Sequence, residues 1–135
     1  MLIEVKPDMM LKDLKKQFHN YYPQLKIEFF NQSSTEHGHN SKEQLLDSDT
    51  ILHTITDVGA GTIDFTGNTS VRQFEALFAA TFQLNVQVFR KSGNVYLETG
   101  KTDDWTLDQE HKEALLSMVQ SEQAATDFTD RDQWE

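Results

Sequence analysis

The side chains best suited to chemistry stand together in one polar segment, Glu36-His37-Gly38-His39. Histidine nitrogens and carboxylate oxygens bind zinc, and alternate residues of an extended loop can both reach one ion. The sequence therefore offers His37, His39 and, further along, His53 as candidate metal ligands. A small metal-dependent or acid-base enzyme centred on this segment is one hypothesis. However, the spacing matches no established zinc signature, and histidines around a glycine are also typical of a solvent-exposed turn.

Two further groups of acids are close enough in sequence for acid-base catalysis, Asp47 with Asp49 and Asp103 with Asp104. Both pairs fall at predicted helix starts, where capping and the helix dipole favour acidic side chains without any catalytic role. The chain has no cysteine and no Gly-x-Ser-x-Gly elbow, so it offers no nucleophile of those types. We therefore predict a protein that is not an enzyme, with no catalytic residue and no cofactor.

The formal net charge is −10 and is unevenly distributed along the chain. Residues 1–101 hold ten Lys and Arg against twelve Asp and Glu, whereas residues 102–135 hold two against ten and so contribute −8. Binding to a phosphate backbone needs Lys and Arg, so nucleic acid is not expected as the main partner. An acidic protein that mimics nucleic acid and occupies a basic partner is a further alternative.

Four residues are candidates for binding a partner protein. Arg90 and Lys91 lie beside aromatic residues at a predicted hairpin, and they form either a small basic-aromatic patch or a solubilising turn. Phe128 and Trp134 lie in residues 126–135, which lack helical or strand periodicity and are predicted to be an acidic flexible tail. Three hypotheses for this tail are open. It is an inert solubilising segment, or a docking peptide whose aromatic side chains enter pockets of a partner. The third is that it folds back onto the lysine-rich face of the first helix.

An internal repeat positions these candidates. Residues 3–22 align with residues 63–82 without a gap, and dropping one residue at the turn continues the alignment from residue 25 with residue 84. The aligned apolar pairs are Ile3 with Ile63, Val5 with Phe65, Leu11 with Val71, Leu14 with Phe74, Phe18 with Phe78, Tyr22 with Phe82, Leu25 with Leu84, Ile27 with Val86, Phe29 with Val88 and Phe30 with Phe89. This agreement indicates two copies of one unit.

Within each copy the apolar spacing changes from two to three or four and back to two, which predicts a strand, a helix and a second strand. Asp8 is predicted to cap the first helix, while Ser70 with Gln73, and Thr106 with Gln109, form capping-box patterns for later helices. The second copy continues into a turn-rich segment and another alternating strand, which predicts a hairpin followed by a C-terminal helix.

The predicted fold class is α+β: two repeated strand-helix-strand units form one mixed sheet with helices packed on it, plus a hairpin and a C-terminal helix. Parallel strands joined by a helix should then cross over right-handedly. A single domain is predicted for residues 1–125, with repeats at about residues 1–58 and 61–125. We expect the apolar surface of the second helix around Ala76 and Ala80 to be covered by the C-terminal helix or by another subunit.

Residues 89–99, FRKSGNVYLET, followed by TDDWTL at residues 102–107, resemble the signature of an uncharacterised family of small bacterial proteins. The resemblance extends from residue 2 to about residue 112 and implies a bacterial cytoplasmic context, but no activity and no site. The chain has no basic N-terminal region before a long apolar run, and no segment reaches the ~18 apolar residues of a membrane span. A cytoplasmic location and no membrane partner are therefore expected.

The incomplete catalytic sets and the surplus of apolar helix surface favour a non-catalytic protein-protein interaction or assembly module. Its predicted partner is another protein or a second copy of the same chain.

Overall fold

The computed structural model describes residues 1–31, 45–57, 59–99 and 102–126, with residues 119–126 described only as helix backbone. The strands and α-helices in these residues are β1 (Leu2–Val5), α1 (Leu11–Tyr21), β2 (Leu25–Phe30), β3 (Gly61–Asp64), α2 (Val71–Phe82), β4 (Asn85–Ser92), β5 (Val95–Glu98) and α3 (Leu107–Thr126). A 3-10 helix, Leu52–Thr54, lies between β2 and β3. The predicted α+β fold class is confirmed, including the hairpin of β4 and β5 and the C-terminal helix.

The strands form two antiparallel sheets. β1 pairs with β3 in a two-stranded sheet, and the three-stranded sheet has the order β2-β4-β5. The prediction of one mixed sheet with parallel crossovers is wrong, because β1 pairs with β3 and β2 pairs with β4. The strands before and after each of α1 and α2 therefore lie in different sheets. Apolar alternation shows which face of a strand is buried, but it does not show which distant strand lies beside it.

Both sheets are centred on residues that the internal alignment makes equivalent. Ile3 lies opposite Ile63 in the two-stranded sheet, and Glu28 lies opposite Gln87 in the three-stranded sheet. Antiparallel pairing of equivalent residues is the pattern expected when a twofold axis relates two copies. That the two units superpose stays a prediction.

Two of the predicted helix starts are confirmed. The Ser70 hydroxyl accepts the Gln73 N–H at 3.1 Å, and the Gln73 side chain accepts the Ser70 N–H at 3.0 Å. Thr106 and Gln109 make the same reciprocal pair, with distances of 3.1 and 2.8 Å. Each box satisfies two backbone N–H groups that the first turn of a helix leaves without a partner.

The predicted cap of α1 is wrong. Asp8 precedes the helix by three residues, and α1 begins at Leu11. The carboxylate of Asp13, in the first turn, accepts the Met10 N–H at 3.0 Å instead. The acid in the first turn therefore bonds the N-cap backbone, and no N-cap side chain accepts a first-turn N–H as was predicted for Asp8.

After β2 in the first copy, and after β5 in the second, the chain returns to the N-terminus of the helix of the same copy, α1 or α2. Its carbonyl groups accept four helix N–H groups at 2.8 to 2.9 Å: Leu11 to Thr50, Lys12 to Ser48, Val71 to Trp105 and Arg72 to Asp103. These N–H groups would otherwise lack partners at the helix start. The correspondence extends the similarity of the two copies into a region where the sequence alignment showed none.

The core lies between the helices and the two sheets. Leu14, Phe18, Phe74 and Phe78 are fully buried, as the repeat predicted. The Phe74 ring packs against Phe18 with a centroid distance of 5.0 Å and against Phe78, tilted edge-on, with a distance of 5.2 Å. Burial of each large apolar side chain stabilises the fold by roughly 1.5 to 3 kcal/mol before the entropy of ordering is subtracted.

The Ala76 and Ala80 side of α2 is exposed among the described residues. α3 packs against β4 and β2, where Leu107 and Ala114 are fully buried. The expectation that the C-terminal helix covers α2 is therefore wrong, and cover by another subunit stays a prediction. No helix in the described ranges is long and apolar enough to cross a membrane.

Candidate functional site

The outer face of the three-stranded sheet, turned away from the helices, is the main candidate site. Alternation along β2 sends Leu25, Ile27 and Phe29 into the core and leaves the residues between them on the outer face. A groove of about 510 Å³ opens on this face. The side chains that line it, called the outer-sheet groove below, are Lys26, Glu28, Phe30, Leu45, Phe89, Val95, Tyr96 and Glu98.

Lys26 and two aromatic rings form the centre of the outer-sheet groove. The Lys26 ammonium lies 4.5 Å from the centroid of the Tyr96 ring and 5.5 Å from that of Phe89. It also lies 3.2 Å from a carboxylate oxygen of Glu28. These contacts hold a positive charge against two apolar ring faces, which orders three side chains that reach the surface from three different strands.

The other charges of this face divide into paired and unpaired groups. Glu28 is balanced by Lys26 and by the ammonium of Lys15, which reaches it from α1 at 2.6 Å. Lys91 lies opposite Tyr96 on the neighbouring strand, and Glu98 lies opposite Phe89. Neither Lys91 nor Glu98 makes an ion pair within the part of the chain that the structure describes. The face therefore presents one unpaired charge of each sign.

Arg90 and Lys91, predicted to bind a partner, lie on opposite faces of β4 and do not form one basic patch. The Arg90 guanidinium donates to a carboxylate oxygen of Glu110 at 2.9 Å and lies 5.8 Å from the centroid of the Trp105 ring. Glu110 has no exposed surface and also accepts the Thr102 hydroxyl. The ion pair of Arg90 with Glu110 thus links β4 to α3, while Lys91 lies beside the outer-sheet groove.

A second cluster of charged groups surrounds Glu75 of α2. Its carboxylate accepts the Val88 N–H at 2.9 Å. Burial raises the pKa of Glu75 from its usual 4.5 to about 7, the Val88 bond and Arg72 oppose this rise, and Asp103 and Glu110 add to it. Carboxyl groups that titrate near neutral pH occur at catalytic sites. Here the Glu75 carboxylate accepts a backbone N–H of β4 at the end of its pairing with β5, which is a structural role.

The metal-ligand candidates are only partly described. His53 is exposed in the 3-10 helix, and its backbone N–H donates to the Pro7 carbonyl at 3.0 Å. Five residues of the sequence hypotheses lie outside the described residues: Glu36, His37, His39, Phe128 and Trp134. Within residues 1–31, 45–57, 59–99 and 102–118, no group of three or more His, Asp or Glu side chains is placed to hold a metal. The metal and docking-tail hypotheses stay predictions.

The position of Glu110 in the core could be read from the spacing of its neighbours in the sequence. Leu107, Glu110 and Ala114 are spaced by three and four residues and therefore share one face of α3. All three are fully buried. An acid in a buried stripe requires a hydrogen-bonded or charged partner, and Arg90 is that partner in the structure.

Comparison with protein-family models, with curated proteins and with solved structures finds no match to this chain. The resemblance of residues 89–99 and 102–107 to a family of small bacterial proteins stays a prediction.

Proposed function

We propose that this chain is a non-catalytic protein-protein interaction or assembly module of a bacterial cytoplasm, and that the outer-sheet groove is its binding surface. The observation that carries the proposal is the ordered group of Lys26, Phe89 and Tyr96 on the sheet face opposite the helices. Aromatic side chains held in place by their neighbours lose little entropy on binding and contribute most to interfaces.

The shape and polarity of the groove also support binding of a protein. Phe30 is only 5% exposed at its floor, while Val95 is 56% exposed at its rim. An apolar centre surrounded by charged residues such as Lys91 and Glu98 is the usual arrangement of protein interfaces. The Glu28 carboxylate is already paired with Lys15 and Lys26, which leaves it little capacity to act as a general base towards a small substrate.

Site-specific photo-crosslinking in the native host tests the proposal. A photoreactive phenylalanine analogue replaces Tyr96 in the full chain, and a matched control carries the same analogue at His19 on the exposed side of α1. We expect a defined crosslinked protein from position 96, absent from position 19 and lost on adding Phe89→Ala. Equal crosslinking from both positions, or none from position 96, contradicts the proposal.

Metal analysis separates this proposal from the enzyme alternative based on Glu36, His37 and His39. The full chain is purified without a histidine tag and analysed for zinc, manganese and iron. Metal at one equivalent per chain would favour the enzyme. An acidic mimic of nucleic acid is distinguished by its partner, since its binding to a basic protein should collapse as salt rises.

A further inference from the structure

The backbone of β5 is satisfied on one side only. Thr99, directly after β5, donates its N–H to the Val88 carbonyl at 3.4 Å. Because hydrogen-bonded pairs alternate along an antiparallel ladder, Leu97 and Val95 also direct their backbone groups towards β4. The N–H and C=O groups of Tyr96 and Glu98 therefore point away from β4. Among the described residues, β5 has no strand on that side.

The side chains of this edge do not protect it. Leu97 is 42% exposed and Val95 is 56% exposed, although both are large and apolar. Edge strands of proteins that stay monomeric are usually very short or carry a charge, a proline or a bulge. β5 is four residues long and carries one charge, Glu98, but no proline interrupts it. An exposed apolar edge of this kind is a template for another strand.

We propose that β5 of a second copy of this chain pairs with β5, antiparallel and centred on Leu97, to form a twofold-symmetric dimer. In this register Tyr96 lies opposite Glu98 of the second copy, and Glu98 lies opposite Tyr96 of the second copy. All four outward backbone groups of each β5 segment are then hydrogen-bonded. Leu97 lies beside Leu97 of the second copy, which removes both exposed side chains from water.

Charge complementarity selects a second copy as the occupant. The register places Glu98 of the second copy in one row with Tyr96 and Lys91, because Lys91 lies opposite Tyr96. Lys26 stands 4.5 Å from the Tyr96 ring, so it borders the same row. Each unpaired Glu98 thus lies on the same sheet face as Lys91 and Lys26 of the other copy, separated from Lys91 by the strand that carries Tyr96, and the twofold symmetry creates this arrangement twice. An unrelated strand would satisfy the backbone but would not supply the acid at that position.

This inference rests on the proposed assembly function and names its partner. A pair of four-residue strands with flanking side chains forms a small interface, so we expect a dimer that dissociates in the micromolar range or above. Sedimentation velocity of the full chain should show a mass that rises from 15.6 kDa towards twice that value as concentration increases from about 1 to about 500 µM.

Charge exchange tests the register. Glu98→Lys places a lysine in one row with Lys91 of the other copy, and Lys91→Glu places a glutamate in one row with Glu98. Like charges then face each other across Tyr96 at two symmetric positions, so each variant alone should dimerise about tenfold more weakly than the unmodified chain. An equimolar mixture should form a heterodimer with affinity near that of the unmodified chain, because both contacts then join opposite charges. Glu4→Lys, on the exposed face of β1, makes the same change of charge and should leave the dimer unchanged.

Three results would overturn the inference: a chain that stays monomeric over the whole range, a dimer that Glu98→Lys does not weaken, or a mixture that recovers no affinity. Each differs from failure of the proposed function. A monomer that still crosslinks to another protein through position 96 retains the function and loses only this dimer.

Discussion

Replacing Glu75 with glutamine separates the effect of a buried charge from the effect of a hydrogen bond. Glutamine keeps a side-chain oxygen that can accept the Val88 N–H and carries no charge at any pH. Burial raises the pKa of Glu75 to about 7 from its usual 4.5. The folded state therefore binds the Glu75 proton more tightly than the unfolded state does.

The sign and size of the effect follow from this difference. A carboxyl group with a raised pKa in the folded state contributes its full stability below pH 4.5, and this contribution is lost as pH rises through about 7. At about 1.36 kcal/mol per pH unit, the loss amounts to roughly 3 kcal/mol between pH 4.5 and pH 8. Above pH 7 the folded chain then holds an ionised Glu75 near Asp103 and Glu110.

Urea unfolding followed by circular dichroism at pH 5 and pH 8, at constant ionic strength, measures this difference. We expect Glu75→Gln to exceed the free energy of unfolding of the unmodified chain by less than about 1 kcal/mol at pH 5 and by about 3 kcal/mol at pH 8. Glu4→Gln, which removes an exposed carboxylate, controls for the loss of one charge. If the difference between Glu75→Gln and the unmodified chain is the same at both pH values, the argument from burial fails.

Two further pairs of substitutions test packing. Phe78→Ala should lower the free energy of unfolding by about 3 to 5 kcal/mol, because the ring is fully buried against Phe29 and Phe74. Leu115→Ala, at a side chain 44% exposed, should lower it by less than about 1 kcal/mol in the same urea assay. Gly67→Ala should lower the melting temperature, because the added methyl group meets the Asp108 carboxylate, and Gly59→Ala, with nothing near the added carbon, should not. Equal effects within either pair would contradict the packing argument.

Much of the local structure could be predicted from the sequence because the spacing of apolar residues reports directly on burial. Phe18 and Phe78 follow the helical spacing and are fully buried, and the Ser70 and Thr106 boxes mark real helix starts. The pairing of β1 with β3 and of β2 with β4 could not be predicted in this way. These partners are about 60 residues apart in the chain, and their register depends on how the helices pack between them.

The candidate site was predicted less well than the fold. Lys91 could be identified as a candidate because it lies in a recognisable hairpin segment. Lys26 precedes it by 65 residues and contacts Tyr96 only in the folded sheet. Arg90 was interpreted as a surface cation because nothing local showed that Glu110 would lie beneath it. A run of turn residues identifies a hairpin, but the side chains that contact each face of that hairpin come from elements distant in sequence.

The differences between the two copies explain why β5 ends where it does. The internal alignment pairs Lys15 with Glu75, and the helix-start hydrogen bonds pair Ser48 with Asp103. In the first copy Lys15 donates to Ser48 at 2.7 Å and to a glutamate of β2, so its charge is balanced. In the second copy the acid at the same position accepts the Val88 N–H, which an antiparallel ladder would otherwise pair with the carbonyl of Thr99. Glu75 thus replaces one of the two hydrogen bonds that would join Val88 and Thr99, and within β5 itself the outward backbone groups are those of Tyr96 and Glu98.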